Sequence, residues 1–144
     1  GVVAEGLSRS GVVLWGITGK QAQGFAGRCF GDLDVEHRKI IGRLSPKILI
    51  VNPGARLSWQ YHNRRAETWQ VYRGSVGVVR SADDDEGPVV QLKEGDRVVL
   101  AQGERHRLVG LSDFGVVAEI WQHTQKNPSD EEDIVRVQDD VKRK

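Results

Sequence analysis

Turn signals recur about every 8–12 residues between residues 47 and 124, and this spacing restricts the fold more than any other feature of the chain. Short runs rich in Val, Ile and aromatic residues, such as "KILIV", "ETWQVY" and "GVVAEIW", stand between the turns. The turns carry Gly, Pro, Asn and Asp, as in "NPG" after residue 51 and "EGD" after residue 93. The pattern predicts an all-β sandwich or barrel across these residues.

Composition and charge exclude several classes of function. The 144 residues are enough for one domain with its own core. The formal net charge is +1, which lacks the strongly basic field of a nucleic-acid-binding surface. No apolar run approaches the roughly 20 residues that span a bilayer, so we expect no membrane partner. The single Cys29 cannot form an internal disulfide, and we therefore expect a reducing, cytoplasmic location.

The two ends of the chain differ from its centre. We expect a single domain with an N-terminal extension and first strands over residues 1–46, a barrel over 47–126 and a charged tail over 127–144. Ser129 precedes three acidic residues, which is the pattern of a helix beginning in the tail. Composition alone leaves a docked and a frayed tail equally open.

The segment "SWQYHNRRAETW" collects metal-ligating residue types. Alternate residues of a strand share a face, so Gln60 and His62 point the same way. The following "NRRA" can turn the chain and return Glu67 beside them, and His106 follows a turn marked by Gly103. Two imidazoles, a carboxylate and an amide oxygen suit a divalent cation. The alternative is a hairpin with polar residues on its solvent-facing side.

The spacing of these residues resembles the two sequence motifs of the cupin family. The first motif, Gly-x5-His-x-His-x(3,4)-Glu-x6-Gly, is matched with Gln60 in place of the first His. The second is matched in part, with Ala101 where the family has Pro and Gly110 where it has Asn. This resemblance implies a jelly-roll, double-stranded β-barrel. The matching positions are Gly54, His62, Glu67 and Gly74 in the first motif, and Gly95, Gly103 and His106 in the second.

Two longer stretches resemble type II mannose-6-phosphate isomerases, which occur alone or as the C-terminal part of bifunctional enzymes that also make GDP-mannose. "PGARLSWQYHNRRAETW" is similar to that family's PG-x-x-LSLQ-x-H-x-x-RAE-x-W segment, and "EEDIVRVQDDVKR" is similar to its ending. The resemblance implies one divalent metal ion, with Zn²⁺ preferred and Mn, Fe, Co, Ni or Mg as alternatives. The implied metal ligands are Gln60, His62, Glu67 and His106.

The same resemblance implies a reaction and its partners. Arg65, Arg136 and Arg143 would belong to the active site, where the planar guanidinium suits a phosphate. On a helix, Arg136 and Arg143 would share one face because they are seven residues apart. The substrate would be a sugar phosphate, with mannose 6-phosphate and fructose 6-phosphate interconverted through an enediol. Family members commonly pair, so a homodimer is expected.

Two other functions stay open on the sequence. Thr68 stands where the isomerases usually have His, and the ending departs at Gln138, Val141 and Lys142. These departures favour a non-catalytic or sensory cupin that binds a sugar or an anion. A cupin dioxygenase is a third candidate, but Gln60 argues against it because a neutral oxygen donor makes a harder site that suits redox iron less well.

The sequence does not rank the candidates for the general base of an isomerase. Glu119 and His123 alternate with Trp121 and would share one face of a strand. Either side chain could move a proton if it faced the metal site.

Overall fold

A computed structural model describes residues 2–7, 11–17, 46–123 and 127–138, and every regular element in these ranges is a strand. This confirms the all-β prediction. None of the described residues form a helix long and apolar enough to cross a membrane. The strands are β1 (Val2–Leu7), β2 (Val12–Ile17), β3 (Lys47–Val51), β4 (Trp59–Tyr61), β5 (Ala66–Ser81), β6 (Val89–Lys93), β7 (Arg97–Leu100), β8 (Arg105–Val109), β9 (Gly115–Gln122) and β10 (Val135–Gln138).

The 16-residue strand β5 joins the two layers of the jelly roll. Its first half pairs with β9 and β7, and its second half pairs with β8 and β6, all antiparallel. From β9 the first layer continues through β3 and β2 to β1, and from β8 the second continues through β4 to β10. The pairing register of β5 with β9 shifts between Val71 and Arg73. Such a bulge bends a strand, which lets β5 serve both layers.

The core lies between the two layers and follows the alternation of the strands. Trp69 and Val71 of β5 are buried in it together with Val117 of β9 and Leu108 of β8. Burial also alternates along β3, where residues 47, 49 and 51 are buried and the residues between them are partly exposed. Lys47 therefore occupies a core-facing position of its strand, in phase with Leu49.

The prediction of a helix from Ser129 is wrong within the described residues. The chain turns at residues 131–132 and then forms β10, which pairs with β4 and places Arg136 opposite Gln60. The hydroxyl of Ser129 donates to the carboxylate of Asp133 instead of capping a helix. Long-range hydrogen bonds to the loop after β4 thus override a local helix signal. Arg136 therefore lies in a strand and not on a helix, and Arg143 lies outside the described residues.

Gly74 lies just after the bulge of β5, and we expect it to tolerate no side chain. Its φ is +67°, and a Cβ there would collide with the backbone carbonyl oxygen of Phe114. Gly74→Ala should lower the free energy of unfolding by about 3–4 kcal/mol, measured by urea denaturation. Gly54→Ala is the matched control, because Gly54 has a φ of +73° but open space around it. The control should lose only about 1 kcal/mol, and equal losses would contradict the collision.

Candidate metal centre and cavity

Two buried histidines converge on one oxygen of a buried carboxylate, and the three residues belong to different parts of the fold. His62 follows β4, Glu67 lies near the start of β5, and His106 lies on β8. Nε2 of His62 is 3.0 Å from Oε1 of Glu67, and Nε2 of His106 is 3.2 Å from the same oxygen. The three ligand atoms lie within 4.8 Å of one another, a grouping that can hold a metal ion. The predicted proximity of His62, Glu67 and His106 is therefore present in the fold.

The hydrogen bonds of the two imidazoles fix which nitrogen faces the centre. Nδ1 of His62 is 2.7 Å from the carbonyl oxygen of Asp133, and Nδ1 of His106 is 2.9 Å from that of Glu104. A carbonyl oxygen only accepts, so each Nδ1 carries the proton. Each Nε2 therefore faces Glu67: in a protonated ring its N–H donates to the carboxylate, and in a neutral ring its lone pair is open to a metal ion. Three converging electron-pair donors fit a metal cation.

The surroundings of Glu67 keep its carboxyl group ionised, which is the form that binds a metal ion. Burial raises its pKa, but hydrogen bonds from His106 and His62 and the charges of those rings outweigh burial. The pKa of Glu67 is therefore held well below its ordinary value. Nε of Arg65 lies 3.5 Å from the second carboxylate oxygen and adds a positive neighbour. Glu67 is thus ionised at neutral pH, as a metal ligand must be.

Gln60 lies beside this triad. It pairs directly opposite His106 in the β4–β8 ladder and lines the same cavity as His62 and Glu67. Its amide oxygen accepts a hydrogen bond from the Ser58 hydroxyl at 2.5 Å. Its role as a fourth ligand stays a prediction.

The predicted active-site arginines have different surroundings. Arg65 is buried, and its Nη1 donates to the Ser129 hydroxyl at 3.0 Å and to the carbonyl oxygen of Asp130 at 2.8 Å. Its guanidinium lies 3.7 Å from the ring centre of Trp121. Arg65 therefore connects the triad with the segment after β9. Arg136 is exposed and lines the cavity from β10, whereas Arg143 lies outside the described residues.

His62 and Glu67 of the triad line a cavity of about 200 Å³ whose wall carries both signs of charge. Lys47, Arg65 and Arg136 supply cations, and Glu67, Glu119 and Glu131 supply carboxyl groups. Thr68 does not line this cavity, since it follows Glu67 along β5 and alternate side chains of a strand point to opposite faces. The departure from the family at this position therefore lies on the other side of the strand.

Of the two candidates for a base, Glu119 lines the cavity. Its Oε1 accepts the indole N–H of Trp69 at 2.8 Å. Burial and the neighbouring charge of Glu67 raise the pKa of Glu119 to about 8. His123 has a different environment, because its Nδ1 accepts the backbone N–H of Ser129 at 2.7 Å.

Sequence reasoning missed Lys47 as a cavity residue. A signal was present, because "KILIV" alternates and Lys47 shares the phase of two residues that pack in the core. A lysine in the inward phase of a buried strand is rare unless it has a partner, and it therefore indicates a functional position.

Comparison with known proteins places the chain among its relatives. Residues 22–139 match the family model described as "Mannose-6-phosphate isomerase C-terminal". Two xanthan biosynthesis proteins XanB, from two strains of Xanthomonas campestris pv. campestris, are 33% and 35% identical over 97 residues. The matched region is 67% of this chain but 19% of each relative, so the chain spans about a fifth of their length.

Solved structures show the fold at low sequence identity. KdgF from Halomonas sp. superposes with a TM-score of 0.59 at 14% identity, covering 86% of this chain and 90% of KdgF. A variant of the oxalate decarboxylase OxdC of Bacillus subtilis gives 0.64 at 15% identity, covering 94% of this chain and 30% of OxdC. The fold is a cupin jelly roll, and the chain belongs to the family of the mannose-6-phosphate isomerase C-terminal domain.

Proposed function

We propose that this chain is a metal-dependent aldose–ketose isomerase of a sugar phosphate, with mannose 6-phosphate and fructose 6-phosphate as its substrate pair. The observation that carries the proposal is the buried triad of His62, Glu67 and His106, which adjoins a cavity whose wall also carries two further carboxyl groups and three cations. Membership of the mannose-6-phosphate isomerase C-terminal family supports the reaction class.

The reaction moves two protons without any external oxidant or reductant. One proton leaves C2 of the open-chain aldose and arrives at C1, and another passes from the C2 oxygen to the C1 oxygen through an enediol. A divalent ion bound by the triad and Gln60 would supply Lewis-acid stabilisation of the negative charge on those oxygens. Glu119 is the residue in position to carry the C–H proton, because its carboxyl group lines the cavity beside Glu67.

The cavity walls have separate tasks in this reaction. Arg65 neutralises part of the negative charge around Glu67 and keeps the carboxylate in place. Leu57 and Ile134 line the same cavity and would give the carbon chain of the sugar an apolar surface. The cations of the wall balance the dianionic phosphate. Each part of an enediol mechanism thus has a candidate group within one cavity.

The test is a coupled assay for fructose 6-phosphate formed from mannose 6-phosphate, on protein reconstituted in turn with Zn²⁺, Mn²⁺, Co²⁺ and Fe²⁺. We expect turnover with at least one metal, and we expect Glu119→Gln to lower kcat by about 10²–10⁴-fold, the usual contribution of a general base. Glu94→Gln, an exposed change on the surface, is the matched control. Stoichiometric metal and tight sugar phosphate binding without turnover would instead favour the non-catalytic cupin.

A further inference from the structure

Lys47 places an ammonium group in the cavity wall, and its ionic partner reaches in from the solvent. The Lys47 side chain is 6% exposed, whereas that of Glu131, whose Oε1 lies 2.6 Å from Nζ, is 72% exposed. Both residues line the cavity, together with His62 and Glu67 of the triad. A buried cation is thus paired with a carboxylate that belongs to the turn before β10.

The position of Lys47 is fixed by the fold. It lies at the start of β3, directly opposite Glu119 of β9 in the ladder. Nζ is 3.9 Å from the ring centre of Trp121, which adds a cation–π contact. A buried ammonium is costly unless anions and dipoles surround it. The wall therefore holds Lys47 in place and leaves its charge directed into the cavity.

The neighbouring cation Arg65 has a different role. Its Nη1 is used by Ser129 and Asp130, and its remaining nitrogens face His62 and Glu67. A guanidinium committed in this way cannot also enclose a phosphate in its planar fork. Lys47, by contrast, is paired with an exposed carboxylate, and an exposed partner forms a weak ion pair in water.

We propose that Lys47 binds the phosphate group of the substrate and that the Glu131 carboxylate occupies this position until the phosphate replaces it. The proposal rests on the proposed function for the identity of the ligand as a sugar phosphate. A phosphate carries up to two negative charges and three acceptor oxygens, so it competes well against one carboxylate for the same ammonium. Lys47 then selects phosphorylated over neutral sugars, and Glu131 lowers the affinity for phosphate because it competes for the same ammonium group.

The test measures binding and turnover separately on metal-loaded protein. The dissociation constants of mannose 6-phosphate and of inorganic phosphate are determined by calorimetry for the wild type, Lys47→Gln, Lys47→Arg and Glu131→Gln. We expect Lys47→Gln to weaken both ligands by at least 10-fold and to raise KM with little change in kcat. Lys47→Arg should stay within about 3-fold of the wild type, and Glu131→Gln should bind both ligands about 2–5-fold more tightly.

Matched controls and the opposing outcomes keep the two proposals apart. Lys93→Gln and Glu94→Gln change exposed charges at the end of β6 and beyond it, and they should leave both dissociation constants within 2-fold of the wild type.

Phosphate binding that depends on Lys47 in a protein without isomerase activity would support this inference and overturn the proposed function. Isomerase activity with an unchanged KM in a folded Lys47→Gln variant, checked by thermal denaturation, would overturn this inference alone. A wild type that binds neither ligand would overturn both.

Discussion

His62→Ala is expected to lose stoichiometric metal and, with it, measurable isomerase turnover. The substitution removes one of the two imidazole donors and leaves Glu67 and His106, with only the neutral amide oxygen of Gln60 beside them, to hold the ion. Loss of a ligand should weaken metal binding by more than about 100-fold, beyond the 10–100-fold typical of residues that only support a ligand. Elemental analysis and a competition titration against a chromophoric chelator, for Zn²⁺ and Co²⁺, give the affinity of wild type and variant.

His123→Ala is the matched control for this prediction. His123 is also a histidine near the end of β9, but it contacts the backbone of Ser129 and does not belong to the triad. The control should retain the metal stoichiometry of the wild type. Equal metal content in His62→Ala and His123→Ala would contradict the assignment of the centre, whatever the activity of the two proteins.

The triad could be predicted from sequence because strand periodicity and turn spacing determine which face each residue occupies. Gln60 and His62 are two residues apart, and the turn that follows returns Glu67 on β5, the next strand along the chain. His106 was found through the second motif, which brings a distant strand next to β4. The alternation in "KILIV" predicts that the Lys47 side chain points inward. The sequence does not show that β3 bounds the cavity, so Lys47 could not be assigned to the site.

The tail could not be predicted in the same way, because its structure depends on contacts with residues far away in sequence. The acidic run after Ser129 is a valid local signal for a helix start. The carboxylate of Asp133 instead accepts the backbone N–H groups of Asn63 and Arg64, which lie 70 and 69 residues away. No local pattern reports such a partner, and the resemblance of the ending to a family motif implied only that its arginines belong to the active site.

Asp133 joins this tail to the candidate metal centre through both its side chain and its backbone. Its carboxylate oxygens accept the two N–H groups at 2.9 Å each, and the Ser129 hydroxyl at 2.6 Å. Its carbonyl oxygen accepts Nδ1–H of His62. Burial raises the pKa of Asp133, but these hydrogen bonds lower it below its ordinary value, so the side chain is held as a carboxylate.

Asp133→Ala is expected to damage both stability and metal affinity. Two N–H donors in the loop after β4 lose their acceptor, and each unsatisfied donor costs about 1–3 kcal/mol, so the free energy of unfolding should fall by about 2–6 kcal/mol in urea denaturation. The loop carries His62, whose ring orientation depends on the Asp133 carbonyl. Metal affinity should fall by about 10–100-fold, as for other residues that orient a ligand.

Two variants separate this role from a general effect of altering the tail. Asp133→Asn keeps one carbonyl acceptor and should lie between the wild type and Asp133→Ala in both measurements. Glu132→Ala removes the neighbouring exposed carboxylate and should change neither. A loss of stability in Asp133→Ala without any loss of metal affinity would mean that the tail braces the barrel but does not orient His62. Loss of both, with Asp133→Asn intermediate in each measurement, would mean that the segment before β10 is part of the metal centre. The carbonyl oxygen that orients the His62 ring belongs to Asp133, 71 positions later in the chain.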